Sequence, residues 1–271
     1  WGKSSFQKQL SETQARADQA LRDYAPFAIN DPLSKALESQ LAPDTFEGGT
    51  IILLAPPESG KTNRAKVVCG ELEKQKKIRG AVYVDFDGST DDSTEHFFSL
   101  FGMHHKLDDL DTFIEASDDP ATKDLPVVIV LDHIEEGSAD VTALVHVLTK
   151  RSTNRKAKQG QKFIVLAICF KPSTANKLLN INGGSKVRLL ANGSSLNGGD
   201  SNCGDDTWEH QGIRYGEAAC ENLIDQFIGL ETCKIQLTPK QRQRLLHVAT
   251  KHGTPGFIRN FFSGATQGNI N

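Results

Sequence analysis

The chain has no apolar run approaching the roughly 18–20 residues that cross a bilayer. It therefore carries no helical membrane span. Its first residues, Trp1-Gly2-Lys3-Ser4-Ser5, are polar and lack the apolar core of a secretory signal. A chain that starts at Trp reads as a piece trimmed from something longer. Cysteine is sparse and unpatterned: Cys69, Cys169, Cys203, Cys220 and Cys233 lie far apart and form no CxxC or CxxH pair. An odd, scattered set argues against a disulfide framework or a zinc site. Cys69 and Cys169 sit in apolar stretches and read as small core residues. These features are those expected of an intracellular chain, with cytoplasm and nucleus not distinguished. Excess charge of one sign is missing too, with a formal net charge of −3. That balance gives no global attraction to nucleic acid or an anionic membrane, so any such contact needs a local patch. No internal repeat is visible.

What is present is ordinary globular composition, 38% hydrophobic and 24% charged over 271 residues. That length suits one large domain, or a main domain with a small satellite. Residues 3–41 carry helical spacing in Leu10, Ala17 and Leu21, and again in Leu33, Leu37 and Leu41. Asp31-Pro32 predicts a helix start between the two sets, with Pro at the first helical position. Glu47-Gly48-Gly49 then breaks the pattern ahead of a strand.

Apolar runs at 50–54, 81–86, 126–131 and 163–170 alternate with amphipathic helices near 61–77, 92–102, 138–151 and 173–180. Continuous apolar strands separated by helices predict an α/β fold, a parallel sheet covered on both faces. Residues 182–206 are rich in Gly, Ser and Asn and read as a flexible, dispensable insertion. A helix near 215–228 and a short strand, Cys233–Leu237, are expected to close the core. Thr238-Pro239 caps a further helix to about Lys251, and a short helix, Gly256 to Phe262, follows Gly253-Thr254-Pro255.

The chemistry begins at Ala55-Pro56-Pro57-Glu58-Ser59-Gly60-Lys61-Thr62-Asn63, between a buried strand and a helix. That context is what a Walker A phosphate loop requires. Backbone N–H groups of such a turn converge on phosphates, and the helix N-terminus adds partial positive charge. Lys61 reaches the β- and γ-phosphates of ATP, the Thr62 hydroxyl ligates Mg²⁺, and Gly60 keeps a Cβ out of the way. The loop departs from the usual pattern at Ala55, which replaces the first glycine, and at Glu58 and Ser59. Glu58 must turn to solvent, or it repels the nucleotide.

Val127–Leu131 is an apolar strand ending in Asp132, placed to hold Mg²⁺ through water opposite Thr62. Hydrolysis also needs a base to align water, normally a Glu directly after that Asp. Here the position is His133, with Glu135 and Glu136 further on. Either Glu135 substitutes from the following turn, or His133 serves and hydrolysis is slow.

Taken together, these residues resemble the AAA+ superfamily, in its branch near the origin-recognition, transposition-helper and STAND ATPases. The phosphate loop resembles G-P-P-G-x-G-K-T, and Asp31–Leu41 resembles the helix leading into the nucleotide site. Val82–Asp85 followed by Ser93–Phe98 is similar to that branch's second strand and helix. Ile235–Pro239 and Gly253–Arg259 resemble the start of a helical lid and its G-x-P-x-x-x-R segment. The resemblance implies a helical segment at 1–47, a nucleotide-binding core at 48–237 and a partial lid at 238–271. It implies a sensor group at Lys171 or Ser173, γ-phosphate contact by Arg259, and Arg214 as a trans-acting arginine finger. It also implies action on a protein partner or self-oligomer. The basic run Lys150, Arg151, Arg155, Lys156, Lys158 and Lys162 offers a phosphate contact to nucleic acid, without aromatics for base stacking. Two functional readings stand: a slow ATPase that moves a partner, and a non-hydrolysing ATP switch.

Overall fold

The apolar runs form β1 (Thr50–Leu54), β2 (Gly80–Asp85), β3 (Val127–Asp132) and β4 (Phe163–Cys169). The computed structural model describes residues 2–23, 32–41, 46, 48–55, 57, 59–87, 93–101, 110, 114, 122, 124–135, 140–153, 162–181, 187–191, 194–196, 217–229, 235–252 and 255–266. Two further strands, β5 (Val187–Ala191) and β6 (Ser194–Leu196), complete a six-stranded sheet of order β2-β3-β4-β1-β5-β6. All pairings are parallel except β5 with β6. The predicted α/β class is therefore the observed one.

Alternation along each strand sends side chains to opposite faces. Ile52 and Leu54 of β1 join Val127, Ile129, Leu131, Val165 and Ala167 in one core. Ile51 and Leu53 join Val128, Val130, Ile164 and Leu166 in the other. The first face is covered by α1 (Gly2–Ser11), α5 (Ser93–Leu100), α6 (Val141–Ser152) and α7 (Pro172–Ile181), through Phe6, Phe97, Leu148 and Leu178. The second is covered by α3 (Pro32–Leu41) and α4 (Lys61–Lys74), through Leu37, Val68 and Leu72. Cover on both faces explains why these strands are apolar throughout rather than alternating.

The polar N-terminal helices protect a sheet edge. α1 and α2 (Thr13–Asp23) lie along the edge strand β2. There Gln9 Oε1 accepts from Tyr83 N–H and Thr13 Oγ1 accepts from Ala81 N–H, each at 2.9 Å. Edge groups that would otherwise template another strand are thereby satisfied. Gly70 of α4 lets α2 approach: a Cβ there would lie 2.3 Å from the Ala17 Cβ.

A third cluster joins α8 (Glu217–Gly229), α9 (Pro239–His252) and α10 (Pro255–Thr266) through Leu223, Ile224, Leu245, Ala249, Ile258 and Phe262. Thr238 and Gln241 cap the start of α9 reciprocally. Gln241 Oε1 accepts from Thr238 N–H at 2.9 Å, and Thr238 Oγ1 accepts from Gln241 N–H at 3.3 Å.

Two expectations are corrected. Residues 187–191 and 194–196, inside the stretch expected as a flexible insertion, are strands, and Val187, Leu189 and Leu190 are buried. Gly, Ser and Asn on either side mask a short apolar run that pairs with β1 along its length. The strand expected at Cys233–Leu237 is not formed at 235–237, while 233–234 lie outside the described residues. The position beside β1 is already taken by β5.

Candidate functional site

The loops at the carboxyl ends of β1, β3 and β4 meet in a cleft of about 510 Å³, the edge where open parallel sheets bind ligands. From the first loop come Pro57, Gly60, Lys61, Thr62 and Asn63, from the second Asp132, His133 and Glu135. The tip of β4 adds Ile168, Cys169 and Phe170, and α10 adds Arg259. The loop is pinned to β4 by Ala55 N–H, which donates to the Cys169 carbonyl at 3.2 Å. Gly60 then adopts φ 80°, a left-handed conformation that glycine reaches without strain, and starts α4 with no side-chain cap. The first N–H groups of α4 thus keep their capacity for an anion.

Lys61 turns back along the loop, and its Nζ donates to the Ala55 carbonyl at 2.8 Å. Burial lowers its pKa, against the charges of Cys169, Asp132 and Glu135. Thr62 Oγ1 donates to Asp132 Oδ2 at 2.6 Å, joining the two residues proposed to share a metal ion. Asp132 is buried. Ser59 Oγ is buried without a hydrogen-bond partner among the described residues. Glu58 lies outside the described residues.

His133 and Glu135 differ sharply. His133 sits at φ 52°, outside the usual range for a residue with a side chain. Its N–H donates to Asp132 Oδ1 at 2.9 Å, and its Nδ1 lies 2.8 Å from Asp85 Oδ1. Partial burial would lower its pKa, but the Asp132 charge and the Asp85 hydrogen bond outweigh that and raise it. Glu135 instead reaches under the tip of β4. Its Oε1 accepts from Phe170 N–H at 2.5 Å and Lys171 N–H at 2.8 Å. Its Oε2 is buried without a hydrogen-bond partner among the described residues. Burial raises its pKa above the ordinary carboxylate value, against the Lys171, Glu135 and Phe170 N–H groups and the Lys61 charge.

Asp85 was not singled out from sequence, although it ends an apolar strand just as Asp132 does, and the two are register partners. Reading every strand that ends in an acid would have found it. Of the two sensor candidates, Lys171 and Ser173, neither lines the cleft, and Lys171 Nζ rests over the Phe170 ring at 5.4 Å from its centroid. Arg214 lies outside the described residues, as do residues 154–161 of the basic run. Lys162 of that run lies over the Phe46 ring at 5.1 Å. Among the described residues, no helix is long and apolar enough to cross a membrane.

No protein-family model and no curated protein matches this chain. Solved structures do. A RuvB mutant from Thermotoga maritima is 14% identical with TM-score 0.47, covering 86% of this chain and 59% of that one. PCH-2 from C. elegans is 13% identical with TM-score 0.42, covering 95% and 67%. A katanin structure, described for its self-assembly, is 12% identical with TM-score 0.47, covering 89% and 68%. These neighbours are AAA+ ATPases. This chain spans 59% of the length of the RuvB structure.

Proposed function

We propose that this chain is an AAA+-type ATPase that binds Mg-ATP in the cleft and couples binding and hydrolysis to a movement acting on a partner, either another protein or further copies of itself. The observation that carries this reading is the convergence of Lys61, Thr62, Asp132 and Glu135 on one cleft beside an uncapped helix start. These residues fit the nucleotide. Lys61 is a half-buried cation that donates to a carbonyl of its own loop, and Ser59 offers a buried hydroxyl with no hydrogen-bond partner among the described residues. Both are groups that phosphate oxygens satisfy. Mg²⁺, when bound, would supply positive charge against that of the phosphates. Thr62 and Asp132 would hold it, and the α4 N–H groups would orient the phosphates. Arg259 approaches the cleft from the α8–α10 cluster, so phosphate charge would draw that cluster towards the sheet.

Glu135 is the better-supported base. Its Oε1 is anchored by backbone N–H groups, its Oε2 has no hydrogen-bond partner among the described residues, and burial raises its pKa, which strengthens it as a proton acceptor. His133 is engaged between Asp85 and Asp132, which favours its protonated form. The non-hydrolysing switch remains the second reading, favoured by the absence of a carboxylate directly after Asp132.

Equilibrium titration with a fluorescent ATP analogue tests the proposal. Mg²⁺ should tighten binding to the wild type, and Asp132→Asn should remove most of that gain because it takes charge from the metal's shell. Equal Mg²⁺ dependence in the two proteins would contradict the assignment.

A further inference from the structure

The outward face of α9 has no role in the cleft. Lys240, Arg244, His247 and Lys251 recur at intervals of four, three and four residues, and all are exposed. At the helical turn of about 100° per residue they fall within an arc of about 60°. They extend over about 16 Å of helix axis. The helix contains no Asp or Glu. The opposite face docks α9 into the cluster with α8: Leu245, Leu246 and Ala249 are buried there. Arg242 points to α8 as well, with its fork on Asp225 at 2.7 and 2.8 Å and Glu221 at 3.0 Å. The inward cation is therefore paired. The outward ones have no hydrogen bond or ion pair to any described residue.

We propose that this stripe is a docking surface for the phosphate backbone of duplex DNA. Charge complementarity selects a polyanion, because a chain with net charge −3 concentrates unpaired cations on one helix face. The absence of an apolar anchor selects against a protein partner. The stripe holds no Phe, Tyr or Trp, and Val248, 38% exposed, is the large apolar side chain beside it. Protein interfaces take their energy from such anchors, whereas phosphate contacts need cations and hydrogen-bond donors alone. The same lack of aromatics removes the stacking on which single strands depend. Between duplexes, B-form DNA admits a helix to its major groove, and the deep, narrow groove of A-form RNA does not.

Anisotropy of a fluorescent DNA duplex against the whole chain tests this. The permanent cations Lys240, Arg244 and Lys251 should give a log–log salt slope of about −2.7, so binding weakens about 40-fold between about 50 and 200 mM salt. The charge-reversed triple K240E/R244E/K251E should bind at least about tenfold more weakly at the lower salt. The triple K35E/K74E/K177E changes net charge equally on other exposed helix faces, and should cost less than about threefold. Thermal unfolding of each variant checks its fold, and K240Q/R244Q/K251Q serves if charge reversal unfolds the chain. Lys61→Ala should bind DNA as the wild type does, which separates this surface from the ATP site. The proposal is overturned by no binding at low salt, by equal losses in the two charge-reversed triples, or by tighter binding of duplex RNA or a polyglutamate peptide.

Discussion

Glu135→Gln is expected to slow single-turnover ATP hydrolysis by on the order of 10²- to 10⁴-fold while leaving ATP affinity near the wild-type value. Glutamine keeps the shape and an oxygen for the Phe170 and Lys171 N–H groups, so the anchor at the tip of β4 survives. What it loses is the second carboxylate oxygen as a proton acceptor, the one that is buried and unpartnered. His133→Glu should bring no gain. The new carboxylate would stand beside Asp85 and Asp132, where the imidazole now bridges two acids, and like charges at that distance repel. The outcome that contradicts this account is fast turnover in Glu135→Gln, or a rate increase in His133→Glu. The first points to a base elsewhere, and the second returns the role to the position after Asp132.

Replacing residues 187–196 with a Gly-Ser linker is expected to abolish cooperative unfolding. The linker removes β5, which pairs with β1 from Thr50↔Val187 to Leu54↔Ala191 and buries Leu189 completely. Loss of a buried Leu alone costs about 2–5 kcal/mol, against a total stability of about 5–15 kcal/mol for a domain. The milder Leu189→Ala should lower the melting temperature by roughly 5–15 °C. A linker variant that melts cooperatively near the wild-type temperature would show that β5 contributes little. Because β1 leads into the phosphate loop, loss of its neighbour should also weaken ATP binding.

Features held by local pattern were legible in the sequence. The strands β1, β3 and β4 are continuous apolar runs, and Gly60-Lys61-Thr62 follows one of them at a helix start. Asp132 follows the same logic at the end of β3. β5 was hidden because its five residues are averaged into a Gly/Ser/Asn-rich stretch, although Val187, Leu189 and Leu190 carry the signal of a buried strand. The unequal situations of His133 and Glu135 were not legible either. They depend on Asp85 and on the Phe170 and Lys171 N–H groups, whose separation along the chain is 48, 35 and 36 residues. Only the sheet order brings these groups together. The basic character of α9 was present in sequence, but its sorting into a paired inward Arg242 and an unpaired outward stripe required the packing of α8.

The central claim, that this cleft holds Mg-ATP, is tested most directly by equilibrium binding of a fluorescent ATP analogue to Lys61→Ala. Lys61 supplies positive charge to the loop while contributing no side chain to the buried cores. Its removal should leave thermal unfolding nearly unchanged and weaken binding by about 2–5 kcal/mol, at least about 30-fold, the usual loss when one partner of a desolvated charge pair is truncated. A folded Lys61→Ala protein that binds the analogue with wild-type affinity would contradict the account.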